Sequence, residues 1–163
     1  KNMKILSMKT TIFLGAMLSL LVCLMFTGCS NSETNSTSRG LTDFAHIEEE
    51  YLATIDSLDW PDGVELPKKL ENEDTGASFQ VGYGETRASN LWEYSWMKEW
   101  LDTYNTNPER AEKALEELEK AFDMPYMGKD RCDDATRNYL RENIDKAKLG
   151  DPSGFRECID VNY

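Results

Sequence analysis

Across residues 41–163 the apolar positions recur every three or four residues, and each such run predicts a helix with one dry and one wet face. Leu41, Phe44, Tyr51, Leu52, Ile55 and Leu58 share a face of residues 41–58, with Glu48, Glu49 and Glu50 away from its centre. Trp60-Pro61-Asp62-Gly63 stops that helix, and residues 63–76 read as loop. Between residues 78 and 84 the period changes to two, because Phe79, Val81 and Tyr83 alternate with polar or small neighbours, the pattern of a short strand. Residues 88–104 return to helical spacing with Leu91, Trp92, Trp96, Met97, Trp100, Leu101 and Tyr104 over most of the circumference. A helix this apolar belongs at the centre of a fold.

Asn107 and Pro108 supply an N-cap and a first-turn proline for the next helix. Its stripe is Ala111, Ala114, Leu115, Leu118, Ala121 and Phe122, and Glu109 with Lys113 and Glu116 with Lys120 pair on its wet side. Met124-Pro125 ends it. A last helix opens at Asp133 and Asp134 and runs to Leu149, with Gly150 just past its end. The expected fold is mainly α: a small bundle of about four helices with a minor β element and one disulfide.

The residues before this domain follow another pattern. Lys1, Lys4 and Lys9 precede sixteen uncharged residues, 11–26, and the run ends in Phe26-Thr27-Gly28-Cys29. A positive start followed by an apolar run is the layout of an export signal, and it falls short of the roughly 20 apolar residues a spanning helix needs. Thr27, Gly28 and Cys29 resemble the lipobox of bacterial lipoproteins, with Phe26 where that family usually carries Leu. The resemblance implies that residues 1–28 are a signal peptide and that Cys29 is acylated. It also implies that the chain beyond Cys29 is held on the extracytoplasmic face of a cell membrane, or of an outer membrane in a Gram-negative host. Residues 29–40 hold the lipidated cysteine and a Ser/Asn/Thr-rich tether, and residues 41–163 form the acidic domain. An eleven-residue polar tether reaches about 17–20 Å, so the domain is expected close to its membrane. Within the domain, the stretch from Phe79 to Trp100 is similar to small secreted proteins of uncharacterised function from high-GC Gram-positive bacteria. That likeness implies no activity.

Charge narrows the partners. Three of the eighteen basic residues and none of the thirty acidic ones precede Cys29, so the chain beyond it carries −15 against −12 for the whole sequence. Such a surface is repelled by phosphodiester backbones, which excludes nucleic acid as a partner. The membrane is then reached through acyl chains, and the other expected partner is an envelope protein or a glycan.

Cysteine usage fits export. With Cys23 in the signal and Cys29 consumed by lipid, Cys132 and Cys158 remain, an even number in an oxidising compartment. A bond between them would stabilise the fold by about 3–4 kcal/mol on the chain-entropy model. It requires residues 150–158 to return nearly extended along the last helix. The alternative is two buried thiols.

Candidate chemistry is sparse. His46 is the lone histidine and lies on a polar helix face, which removes most histidine-based catalysis. Trp92, Trp96 and Trp100 make an aromatic ridge, read either as core or as a sugar-stacking platform, and Trp60 beside its turn reads as lid or contact residue. Glu85, after Gly82-Tyr83-Gly84, and Glu93 or Glu99 between tryptophans are the carboxylates least like surface residues. Glycoside hydrolysis would need two of them about 5–10 Å apart. Asp130, Asp133 and Asp134, and separately Asp151, Ser153 and Glu157, are oxygen-rich but lack EF-hand spacing, and helix capping accounts for several of them. The sequence therefore predicts no catalytic residue, metal or cofactor. Its reading is a membrane-anchored, non-catalytic binding module, with Trp60, Tyr83, Glu85, Trp92, Trp96 and Trp100 as candidate contact residues. The alternative is a small glycan-acting enzyme with carboxylates near the tryptophan helix.

Overall fold

A computed structural model of the chain describes residues 40–163. The expected signal peptide, Cys29 and the tether before Gly40 lie outside those residues. The domain is mainly helical, with a two-stranded antiparallel sheet and five helices where the sequence suggested about four. Strand β1 (Leu41–Thr42) pairs with β2 (Phe79–Gln80), Leu41 opposite Gln80 and Thr42 opposite Phe79.

Helix α1 spans Phe44–Ser57. Asp43 caps it by accepting from the His46 amide at 3.1 Å, and Ile47, Tyr51 and Ile55 form its buried stripe. The Trp60 indole donates to the Ile55 carbonyl at 2.9 Å, folding the following turn back onto the helix end.

Helix α2 spans Tyr83–Thr103 and starts at Tyr83, not at Ala88, which shortens the expected strand to two residues. Its N-terminus is capped from another helix. The Glu50 carboxylate of α1 accepts from the Gly82 amide at 2.8 Å and the Gly84 amide at 3.1 Å. These are among the donors a helix start leaves unpaired, and a carboxylate there also meets the positive end of the helix dipole. Gly82 is left-handed, φ 90°, a conformation glycine adopts without strain. At Gly84 the two helices nearly touch: a Cβ there would lie 1.9 Å from the Ile47 carbonyl oxygen. Arg131 closes the same corner, its guanidinium bonded to the Gly82 carbonyl and, at 2.6 Å, to Glu85.

Helix α3 (Pro108–Glu119) begins with the expected cap, the Asn107 side chain accepting from the Arg110 amide at 3.2 Å. Two 3₁₀ turns, Lys120–Asp123 and Pro125–Met127, lead toward α4 (Asp134–Lys148), which Asp133 caps through the Thr136 amide at 2.7 Å. Gly150, φ 79°, reverses the chain into α5 (Ser153–Asn162).

Helix α5 overturns the expected disulfide. Cys132 and Cys158 are both free thiols. The bond needed an extended tail, but a helix advances only about 1.5 Å per residue and cannot return that far. Gly154 packs against Asn143, holding α5 on α4. Cys132, before the start of α4, lies instead against Met127, its Sγ 3.5 Å from the Met127 Sδ.

Helix α2 is the hub, packed on α1, α3 and α5. One core joins its tryptophans and Met97 to Ala114, Leu118, Leu140, Ile144 and Phe155, and a second joins Ile47, Tyr51, Ile55 and Leu70 to Ala88. Among the described residues no helix is long and apolar enough to cross a membrane.

Candidate functional site

The buried face of α2 carries one charged side chain. Glu93 follows Trp92 and stands one turn before Met97, so the helix drives a carboxylate into the core side of the bundle, where it is 8% exposed. A buried carboxylate without hydrogen bonds is costly. Glu93 has one: the Tyr126 hydroxyl, from the 3₁₀ turn at Pro125–Met127, donates to its Oε1. Oε2 accepts from no described residue, and Glu93 forms part of the wall of a cleft.

That cleft has a volume of about 790 Å³ and runs between α1, α2, α4 and α5. Tyr51 lines it from α1, Leu91 and Met97 from α2, Leu140 from α4, and Met127 from the turn. Helix α5 contributes Cys158 and Asn162, and Tyr163 follows them. The Tyr163 hydroxyl donates to the Asn90 carbonyl at 2.9 Å, and its ring packs on Tyr94 at 4.9 Å between centroids, so this tyrosine straps α5 to α2 along the cleft.

Burial sets the site's electrostatics. It pushes the Glu93 carboxyl up to about 7, against the lowering effect of the Tyr126 hydrogen bond. The Tyr126 hydroxyl is raised far above its ordinary range, first by burial and then by the Glu93 charge, so it remains a proton donor. Burial also raises the Cys132 and Cys158 thiols, with Glu93 adding to both, so neither is an activated thiolate. Glu93 is the one acidic side chain lining the cleft, and the other charged lining residue, Arg87, is matched by Glu73 at 3.3 Å.

The residues singled out from sequence disperse. Trp92, Trp96 and Trp100 are at most 2% exposed and belong to the core; the first two indoles both donate to the Asp59 carbonyl, at 2.8 and 3.1 Å. None of the three presents a ring face to a sugar. Trp60 is half-buried and Tyr83 donates to Glu73 at 2.9 Å. Glu85 is held by Arg131, and Glu99 by Arg110 at 2.6 and 2.8 Å, so the carboxylate pair that glycoside hydrolysis needs does not converge on Glu93. His46 is an exposed partner of Glu50 at 3.3 Å. Asp133 and Asp151 serve as caps, and among the described residues no three acidic, cysteine or histidine side chains cluster closely enough to hold a metal.

Sequence reasoning named Glu93 only as one carboxylate among several and did not find Tyr126, Arg87 or Tyr163. The available signal was a charged residue in register with Met97 and Trp100, one and two turns on. No protein-family model, curated protein or solved structure matches the chain.

Proposed function

We propose that this chain is an exported bacterial lipoprotein, anchored through acylated Cys29, whose acidic helical domain is a non-catalytic module binding a small amphipathic ligand. The observation that carries the binding reading is the cleft of about 790 Å³ with a single buried carboxylate in a wall of apolar and aromatic side chains interspersed with Arg87, Asn90, Thr136 and Asn162. Concave sites with few polar groups among apolar ones are the usual form of small-ligand sites. A lone carboxylate without a second acid or a histidine beside it supports binding over glycan hydrolysis. The anchor reading rests on the apolar run and Thr27-Gly28-Cys29, and the −15 charge beyond Cys29 leaves acyl chains as the hold on a membrane.

Native mass spectrometry of the protein released from its host membrane tests both halves. The expected result is an acylated Cys29 N-terminus and a small-molecule adduct that disappears in Ala135→Trp, where an indole fills the cleft mouth from an exposed position. An unacylated chain contradicts the anchor. An adduct unaffected by Ala135→Trp, or none at all, contradicts the binding site.

A further inference from the structure

We propose that the ligand class of this cleft is a monovalent organic cation, an ammonium on an apolar or aromatic body, with the nitrogen seated on Glu93 Oε2. The inference rests on the binding reading above and adds the chemistry of recognition.

Three observations lead to it. The cleft's charges do not balance internally, since Arg87 is already paired with Glu73 and Glu93 has only the neutral Tyr126 hydroxyl. Among the described residues Glu93 accepts one hydrogen bond, at Oε1 from Tyr126, and Glu93 lines the cleft, so its second oxygen is left as an acceptor for an incoming N–H donor. The surrounding surface, from Tyr51, Leu91, Met97, Met127 and Leu140, suits an apolar body and not a hydrated ion.

Energetics select the cation. Folding has already stripped Glu93 of most of its water, so an ammonium brings it a partner without new desolvation of the acid. A carboxylate ligand would meet like charge in a low-dielectric wall, and a neutral alcohol would gain one ordinary hydrogen bond where a charged donor gains a stronger one. A divalent metal wants six or more oxygen ligands. The cleft offers one carboxylate, and no described trio of ligating side chains is at hand.

The charge of Glu93 then governs binding. The titratable groups facing it are Tyr126 from the 3₁₀ turn, Cys132 before α4, and Cys158 and Tyr163 from α5. All four are raised above their ordinary values and stay neutral near pH 7, and the remaining charged lining group is Arg87 on α2 itself. Glu93 is thus the group that changes charge between pH 6 and pH 8, with a midpoint of about 7. The cation-binding form grows about tenfold over that interval, and apparent affinity rises with it.

The test uses methionine methyls as reporters. Met97 and Met127 line the cleft, whereas Met124 packs outside it. The membrane-purified protein, labelled with ¹³C at the methionine ε-methyls, is titrated at pH 8 with benzylamine, benzyl alcohol and benzoate, three probes of similar shape and different charge. The expected result is a saturable shift of Met97 and Met127 but not Met124, with benzylammonium binding at least about tenfold tighter than the alcohol and benzoate weakest. Its affinity falls about tenfold at pH 6, and in Glu93→Gln it drops to within about twofold of the alcohol's affinity for the same variant. Equal binding of alcohol or benzoate, or indifference to Glu93→Gln and to pH, overturns the cation assignment while leaving the cleft a binding site. No probe moving Met97 or Met127 overturns both.

Discussion

One backbone oxygen, that of Asp59, accepts from the indoles of both Trp92 and Trp96, and this shows how residue-level constraints built the centre of the molecule. The tryptophans satisfy their polar tips on the loop after α1, which lets the rings lie fully in the core. Trp100 packs edge-on against Phe155 at 5.3 Å and parallel to Tyr104 at 4.6 Å between centroids. Replacing it with alanine is expected to cost about 3–5 kcal/mol in urea unfolding; a loss under 1 kcal/mol would show that the ridge is not core. Glu93 is coupled to Tyr126 in a way a single substitution exposes. The tyrosine's hydrogen bond lowers the carboxyl while burial raises it. Tyr126→Phe is therefore expected to move the Glu93 midpoint above about 7, as read by carboxyl ¹³C shifts.

Elements were legible in sequence to the degree that their causes are local. Helices α1, α3 and α4 carry their own caps, Asp43, Asn107 and Asp133, and their own stripes, and form within the spans spacing suggested, except that Leu41 pairs in β1 and Ala121 and Phe122 fall in a 3₁₀ turn after α3. The start of α2 did not, because its cap, Glu50, comes from thirty-four positions before Gly84. Residues 78–84 alternate like a strand, but only Phe79 and Gln80 pair as one, and the tertiary cap and the Arg131 clasp start the helix at Tyr83. Gly84 marks a helix–helix contact, and Gly82 the seat of Arg131. Gly84→Ala is accordingly expected to destabilise by about 1–3 kcal/mol or more, since the obstacle is backbone, the Ile47 carbonyl. Helix α5 was missed for a different reason. Phe155, Cys158 and Ile159 stand at i, i+3 and i+4, but pairing Cys158 with Cys132 required an extended tail and hid that pattern. With the helix formed, both thiols are expected to alkylate after unfolding without any reductant. Failure of either to react would restore the bond.

At the scale of the molecule, the fold has placed an acid where only its protonated form is comfortable. In the native state Glu93 titrates near 7, against an ordinary value of 4.5. Between those values the native chain holds more protons than the unfolded one, so stability falls as pH rises from about 4.5 to 7 and stays reduced above. The loss from this group is on the order of 3 kcal/mol. Asp133 and Asp151, whose carboxyls are lowered by hydrogen bonds at their caps, act below pH 4 and in the opposite sense, outside this window. Glu93→Gln is therefore expected to stabilise the domain at pH 8 and leave it little changed at pH 5. The site was only partly legible in sequence, because the cleft draws on four helices and a turn, and spacing within one helix does not show which residues meet across the bundle.

The Glu93 carboxylate, buried beside Tyr126 in the cleft wall, is the group expected to change charge near neutrality. Carboxyl ¹³C NMR of Glu93, followed from pH 4 to pH 9 and assigned by Glu93→Gln, measures that change directly. A midpoint near 7 is the expected result. A midpoint near 4.5, the value of a solvated glutamate, would contradict it.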